Sequence, residues 1–373
     1  MKIAMIGHKR IPSREGGIEI VVGALAVRMA GLGHTVHAYN RLGRHVSNVK
    51  TASKKIKTYE GVRVITAPTI PVRAFDALVY SFFATIMALF GRYDVIHYHA
   101  EGPAAMVFIP KLFGIRTVVT IHGLDWQRSK WGGVASKYLK TAERILSKRA
   151  DEVVVMSKAN RAYFNREYGR ETRLIHNAVD PPAARPAKLI KELYGLDGGD
   201  YVLFLSRLTP EKGLHYLLEA YKAIDTPLRL VVAGGSSHSD DYVLRMRELG
   251  AADPRVIFTG FVQGELLEEL YSNCFMYVLP SDIEGMPLSL MEAMSCGRYC
   301  LVSDIDENLD VLGGMGESFI RGDAGSLREK LTGILGAAVF THTPEEISAS
   351  VRTRYNWDSI TEQYLNVYKG DPD

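Results

Sequence analysis

The sequence predicts an α/β protein of two doubly wound domains, each a parallel sheet covered by helices on both faces, facing one another across a cleft. Three observations carry that expectation. A chain of 373 residues is longer than one ordinary core and suits two domains. Short β-branched runs alternate with helix-length segments through both halves, the pattern of βαβ units. Between the halves, D-P-P-A-A-R-P-A (180–187) brings three prolines and no apolar periodicity, and reads as a linker.

In the first half, K-I-A-M-I-G, H-T-V-H-A-Y-N, V-R-V-I-T-A, D-V-I-H-Y-H, R-T-V-V-T-I-H and E-V-V-V-M-S read as six strands. Apolar runs of this length, bounded by Gly and polar residues, are strands buried on both faces. Helix-length segments such as Ile18 to Ala30 separate them. The start, M-K-I-A-M-I-G, has no signal-peptide anatomy and reads as the first strand. Ala74 to Phe90 is an apolar stretch of 17 residues that includes Asp76. It falls short of the ~20 residues of a membrane-spanning helix, so a helix buried in the domain is expected.

Beyond the linker the alternation resumes. Y-V-L-F-L-S, L-R-L-V-V-A-G, R-V-I-F-T-G, M-Y-V-L-P-S and Y-C-L-V-S read as strands. Helices are expected at Gly213 to Ile224, near Asp241 to Gly250, near Glu265 to Asn273 and from Pro287. The tail N-W-D-S-I-T-E-Q-Y-L-N-V-Y repeats apolar residues at helical spacing.

Composition, at 47% hydrophobic and 23% charged, is that of a soluble globular protein. Cys274, Cys296 and Cys300 form neither a CxxC pair nor a spaced metal set, which argues against a disulfide framework or zinc site and for a reducing, cytoplasmic setting. Net charge is +3, yet residues 1–180 hold 28 Lys and Arg against 13 Asp and Glu, while residues 181–373 hold 17 against 29. The basic half either faces something anionic or is attracted to its acidic partner domain.

Ligands of open parallel sheets bind at the carboxyl ends of strands. After the first strand, G-H-K-R-I-P-S-R-E-G-G-I-E lacks the G-x-G-x-x-G dinucleotide fingerprint but sets Gly16 and Gly17 at a helix start, where amides free of Cβ obstruction could approach a phosphate. In the second half, S-R-L-T-P-E-K-G-L ends a strand with Arg207 and brings Lys212 to the next helix start, two cations suited to a diphosphate. The stretch S-D-I-E-G-M-P-L-S-L-M-E-A-M-S-C-G puts Glu284 in a loop, Pro287 in the first turn of a helix, and Glu292 about a turn and a half inside it. The amides from Met286 to Leu288 are then expected to meet an anion between the two carboxylates. Sugar hydroxyls, a diphosphate and ribose hydroxyls present that pattern in a nucleotide sugar. D-I-D, Asp304 to Asp306, has the outline of a metal motif and is read as a loop feature.

These residues together resemble the retaining glycosyltransferases of family 4, which have the GT-B fold. The similarity runs through Gly16-Gly17, T-I-H-G-L-D-W, H-N-A-V-D, S-R-L-T-P-E-K-G-L, G-F-V, E-G-M-P-L-S-L-M-E-A with its E-x(7)-E spacing, and Y-N-W-D-S-I. The resemblance implies an N-terminal acceptor domain, residues 1–180, and a C-terminal nucleotide-sugar domain, residues 188–354, with the helix from about 355 to 373 crossing back to the first. It implies that Gly16 and Gly17 approach donor diphosphate or acceptor, that Arg207 and Lys212 clamp the diphosphate, and that Phe261 and Val262 of G-F-V meet the base. Glu292 would bind ribose, Glu284 the transferred sugar, and the amides of Met286, Pro287 and Leu288 would complete the donor site. His122 resembles the family histidine that contacts the donor sugar near the reacting carbon. No cofactor and no divalent metal are implied for the chemical step, because cations and helix amides stabilise the leaving diphosphate. Where relatives carry glycines, this chain reads D-I-D-E-N-L-D, a departure that touches the donor loop.

The expected reaction is transfer of a hexosyl or deoxyhexosyl group to a glycan or lipid-linked acceptor in surface polysaccharide assembly, with no nucleic-acid partner. K-T-A-S-K-K-I-K (Lys50 to Lys57) and D-W-Q-R-S-K-W (Asp125 to Trp131) suit an anionic lipid-linked acceptor and peripheral contact with the inner face of a membrane. A nucleotide-sugar epimerase of the same fold, a sugar phosphorylase, and a non-catalytic nucleotide-sugar binding protein are the alternatives.

Overall fold

The computed structural model describes residues 1–43, 56–72, 75–127, 133–236, 239–337 and 340–371. Two compact units result: Met1–Ala178 with Trp357–Asp373, and Val179–Asn356.

The first unit is built on a sheet of β1 (Lys2–Ile6), β2 (Thr35–Arg41), β3 (Thr58–Tyr59), β4 (Val62–Ala67), β5 (Val95–His99), β6 (Arg116–Ile121), β7 (Glu152–Val155) and β8 (Arg173–Leu174). Strand order is β3-β4-β2-β1-β5-β6-β7-β8, parallel except for the β3–β4 pair. All six strands expected from the sequence are present; β3 and β8 are two-residue additions too short to leave a pattern. Register sets β1 beside β5, with Ile6 opposite Tyr98. Every residue of β5 is buried, as a strand covered on both faces requires.

The second unit carries β9 (Tyr201–Leu205), β10 (Arg229–Ala233), β11 (Val256–Gly260), β12 (Met276–Leu279), β13 (Tyr299–Ser303) and β14 (Glu317–Phe319). Its order is β11-β10-β9-β12-β13-β14, and each neighbouring pair is parallel. The order reverses at β9, with β10 on one side and β12 on the other, which is the switch point where such sheets bind ligands.

Local chemistry accounts for the element ends. Ser157 caps the Lys158–Tyr168 helix by accepting from the Asn160 amide, and Gly169 closes it in the left-handed region at φ 59°. Thr343 and Glu346 form a capping box at the Pro344–Arg354 helix. The closing helix, Trp357–Lys369, belongs to the first unit, where Tyr364 and Tyr368 are buried and Arg28 lies over the Trp357 ring at 5.2 Å.

One expectation needs correcting. The apolar stretch forms a helix over Asp76–Leu89, but only the face carrying Tyr80, Ser81, Ala84, Thr85 and Ala88 is buried. Phe82 is 44% exposed and Phe83 42%, and the flanking Phe75 and Phe90 are 55% and 84% exposed. A run that is apolar all round satisfies the core with its small and hydroxylated residues and leaves its phenylalanines outside. No helix among the described residues is long and apolar enough to cross a membrane.

Candidate active site

In the second unit, the expected residues gather at the carboxyl ends of β9 to β12. Arg207 leaves β9 in a loop pinned by the Leu208 amide to the Gly235 carbonyl (2.9 Å). A turn at Pro210–Lys212 follows, closed by Gly213 at φ 68°. A Cβ on Gly213 would lie 1.9 Å from the Pro280 carbonyl oxygen, so only glycine permits this approach of the β9 loop to the β12 loop. The Asp282 amide donates to the Glu211 carbonyl (2.9 Å) and completes the clamp.

That approach brings Lys212 onto Glu284. Their side chains, 11% and 7% exposed, form an ion pair, and the Ser281 hydroxyl donates to the same Glu284 Oε1 at 2.8 Å. The sequence reading assigns Lys212 to a diphosphate and Glu284 to a sugar; the fold pairs them. Burial pushes the Asp282 carboxyl up. Glu211 is held below the usual carboxylate range: burial opposes its charge, but its own amide and the charges of Arg207 and Lys212 outweigh that.

The following helix spans Leu288–Ser295, with Pro287 at the N-cap in extended conformation rather than inside the first turn. Proline has no N–H, so the expectation of three donors at Met286, Pro287 and Leu288 is corrected: Pro287 cannot donate to an anion. The first turn of the helix supplies amides without intrahelical acceptors, beginning at Leu288. Glu292 lies one turn in, nearer the helix start than expected, and is 7% exposed. Its Oε2 accepts from Tyr271 at 3.0 Å. Tyr277 bridges the Leu205 carbonyl (3.0 Å) and the Ser289 hydroxyl (2.8 Å), tying β9, β12 and this helix together. Tyr271 and Tyr277 were invisible to motif reading because their partners lie far along the chain.

Phe261 and Val262 follow β11, with Phe261 41% exposed and Val262 8%. Phe261 sits beside the β10 loop, its Cβ 3.5 Å from where a Gly235 Cβ would be. Asp304 accepts from the Arg321 amide at 2.8 Å, and Asp306 opens a helix over Asp306–Leu312, so D-I-D is only in part a loop. Among the described residues, no group of three or more His, Cys, Asp or Glu could hold a metal ion.

In the first unit, Gly16 is the extended N-cap of the Gly17–Gly31 helix. The place of a Gly16 Cβ is taken by Glu19, whose Oε2 would lie 2.4 Å away and whose Oε1 accepts from the Lys9 amide at 2.8 Å. Glu19, 7% exposed, was not anticipated as the anion nearest this helix start. His122 follows β6, its Nε2 3.0 Å from Nδ1 of His99. That Nε2 therefore faces another imidazole. Glu101, fully buried, accepts from the Asp125 amide (3.2 and 3.3 Å), and burial with the neighbouring Asp125 and Glu143 carboxylates pushes its carboxyl well above the usual range. Trp126 packs against the core and under Lys140, whose Nζ is 4.1 Å from the ring centroid. Residues 128–132, including Trp131, and Lys50 to Lys55 of the basic run lie outside the described residues.

Two family models match the chain: Glycosyltransferase Family 4 over residues 15–182, and Glycosyl transferases group 1 over residues 188–335. The chain is a glycosyltransferase of the GT-B fold. A glycosyltransferase of Methanocaldococcus jannaschii is 24% identical to this glycosyltransferase, over 99% of this chain and 98% of its own. The GDP-mannose-dependent alpha-(1-6)-phosphatidylinositol monomannoside mannosyltransferase of Mycolicibacterium smegmatis is 28% identical, over 77% of this chain and 76% of its own. The solved structure of Anabaena HepE in complex with UDP-glucose matches the fold with a TM-score of 0.80 at 18% identity, covering 99% of each chain.

Proposed function

We propose that this glycosyltransferase transfers a hexosyl or deoxyhexosyl group, with retention of anomeric configuration, from a nucleoside diphosphate sugar to a glycan or lipid-linked acceptor in surface polysaccharide assembly. The observation that carries the donor reading is the convergence of Arg207, Lys212, the start of the Leu288–Ser295 helix and Glu292 at the switch point of one parallel sheet. Two cations and a helix start suit a diphosphate, and a buried carboxylate oriented by Tyr271 suits ribose hydroxyls. Phe261 offers an exposed aromatic face to a base. In this reading Gly16 and Gly17 lie against phosphate or acceptor, Glu284 holds a hydroxyl of the transferred sugar, and His122 contacts that sugar near its reacting carbon. The HepE complex and the GDP-mannose-dependent relative support the donor class.

The bond from the anomeric carbon to the diphosphate oxygen breaks as the acceptor oxygen attacks from the same face. A diphosphate oxygen takes the acceptor's proton, and Arg207, Lys212 and the helix amides stabilise the charge left on the nucleoside diphosphate. The reading needs no metal for this step, since those groups supply the electrostatic stabilisation.

We further assign membrane contact to the exposed face of the Asp76–Leu89 helix and the adjoining turn at Phe108–Lys111, where Phe108, Leu112 and Phe113 are 43%, 79% and 65% exposed. Lys111, Arg144, Lys148 and Arg149 line a hollow beside Phe108 and Leu112, with Asp151 paired to Lys111. Apolar rings beside a net basic rim match an anionic phospholipid bilayer.

Purified protein given UDP-, GDP- and dTDP-sugars with lipid-linked acceptors tests the reaction. Release of nucleoside diphosphate that depends on acceptor, with the donor's anomeric configuration in the product by NMR, is expected. Product of inverted configuration, or interconversion of nucleotide sugars without transfer, contradicts it.

A further inference from the structure

The hollow between the Phe108–Lys111 turn and the Gly133–Arg149 helix has a volume of about 910 Å³. Its walls lead into the first sheet: Leu112 comes shortly before β6, and Ala150 and Asp151 immediately precede β7. The hollow therefore lies at the amino ends of those strands, the opposite end of the sheet from Gly16 and His122, whereas the ligands of glycosyl transfer belong at carboxyl ends. Charge within it does not balance. Asp151 is already saturated: Oδ1 accepts from Lys111 Nζ at 2.5 Å, and Oδ2 from the Thr117 amide (2.8 Å) and hydroxyl (3.1 Å). Arg144 and Lys148 are exposed and stand one turn apart on the same helix face, a like-charge spacing that is unfavourable without an anion beside it. Arg149 adds a third cation, and none of the three has an ion-pair partner among the described residues. The helix end does not need them either, because the Arg170 guanidinium donates to the Ala150 and Asp151 carbonyls at 3.1 and 2.7 Å and covers the negative pole.

We propose that this hollow is the headgroup site of one anionic phospholipid, with Arg144, Lys148 and Arg149 around its phosphate and Phe108 and Leu112 against the first methylenes of its acyl chains. Phosphate oxygens match a guanidinium fork and neighbouring ammonium groups. The lip of the hollow is apolar, with Phe108 43% and Leu112 79% exposed, and a water-soluble phosphate ester would leave that surface uncovered. A lipid uses the cations and the apolar lip together, which decides between the two sources of the same phosphate. The proposal deepens the membrane reading above and takes from it the source of the ligand. It differs in kind, because attraction of a basic face to a bilayer follows surface charge and has no stoichiometry, whereas a headgroup site takes one lipid and saturates. Its place at the amino ends of the strands makes that lipid a tether and not a substrate.

Calorimetric titration of the full chain with dihexanoylphosphatidate, kept below its micelle concentration, tests this without a bilayer. One molecule per chain is expected to bind. Arg144→Gln with Lys148→Gln removes two exposed cations and strands no buried charge; it should weaken binding by at least about 10-fold. Glycerol 3-phosphate carries the same phosphomonoester without chains and should bind at least about 10-fold more weakly than the lipid, the ratio that burying about two methylenes gives. Dihexanoylphosphatidylcholine has the chains without the net charge and should bind at least about 10-fold more weakly too. Phe108→Ser with Leu112→Ser should bring the affinity for the lipid down to that for glycerol 3-phosphate. Glycerol 3-phosphate binding as tightly as the lipid to wild type would make this a site for soluble phosphate esters and overturn the proposal. So would phosphatidylcholine binding as well as phosphatidate, unchanged affinity in the double glutamine variant, or no binding of phosphatidate to wild type. Sedimentation with vesicles reads the membrane assignment separately: one-to-one binding of monomeric lipid by a chain that does not sediment supports the headgroup site and sinks the bilayer reading, and sedimentation without one-to-one binding does the reverse.

Discussion

Replacing Lys212 with Met tests the energetic centre of the second unit. The substitution keeps the length of the side chain and removes its charge, leaving the Glu284 carboxylate, 7% exposed, with the Ser281 hydroxyl as a remaining donor at 2.8 Å. Uncompensated buried charges of this kind cost about 3–5 kcal/mol, a third or more of the roughly 5–15 kcal/mol that holds a domain folded. Glu284→Gln should cost less, because Lys212 is 11% exposed and an amide oxygen still accepts from it. Removing both partners, as Lys212→Met with Glu284→Leu, should recover much of the loss, since a buried pair is often replaceable by apolar groups. Urea unfolding followed by far-UV circular dichroism is the assay, because the described tryptophans, Trp126 and Trp357, belong to the first unit. A Lys212→Met variant as stable as wild type, or a double variant worse than the sum of the singles, would refute the claim that these groups are a coupled buried pair.

Acid should weaken the first unit once Glu101 is neutralised by substitution. An unfolded imidazole protonates near 6.5, whereas burial holds His8 at about 4 and His97 at about 3 in the fold. Their contribution is complete above pH 6.5 and is lost as pH falls toward those values, about 2 kcal/mol each between pH 7 and pH 5. Glu101 acts with opposite sign, its raised value stabilising the fold at low pH and losing that contribution as pH rises. His37 and His99, also lowered by burial, act in the same direction, so urea titrations of Glu101→Gln followed by Trp emission should show stability falling by at least about 4 kcal/mol from pH 7 to pH 5; a flat profile contradicts the buried neutral histidines. Gly213→Ala should cost at least about 2 kcal/mol in the second unit, from its φ of 68° and the 1.9 Å approach to the Pro280 oxygen, read by the same dichroism assay. Phe83→Ser with Phe90→Ser should reduce sedimentation with vesicles of anionic phospholipid while leaving nucleotide binding unchanged; equal sedimentation of the two proteins with anionic vesicles, or wild type binding neutral vesicles as well as anionic ones, would contradict the charged-membrane assignment.

The fold was legible because short apolar runs such as K-I-A-M-I-G and Y-V-L-F-L-S, too short for a covering helix and bounded by Gly or polar residues, alternate with helix-length segments. The phenylalanine face of the Asp76–Leu89 helix was not legible, since apolar content alone does not say which side a helix buries. Among the candidate residues, those tied to a turn or a helix start, such as Arg207 and Lys212, are legible as candidates from local spacing. Partners supplied by distant segments were not: Glu284 for Lys212, Tyr271 for Glu292 and His99 for His122 are each separated from their mates by twenty or more residues. Pro287 failed for a chemical reason available from the start, its missing N–H.

Calorimetric titration of UDP, GDP and dTDP into wild type and an Arg207→Ala variant tests the donor assignment most directly. One of the three nucleotides should bind wild type and lose affinity by about 10- to 100-fold in the variant, the effect of removing one charge-assisted contact to phosphate. Equal affinity in the two proteins, or no binding of any nucleoside diphosphate to wild type, would contradict a diphosphate held at the end of β9.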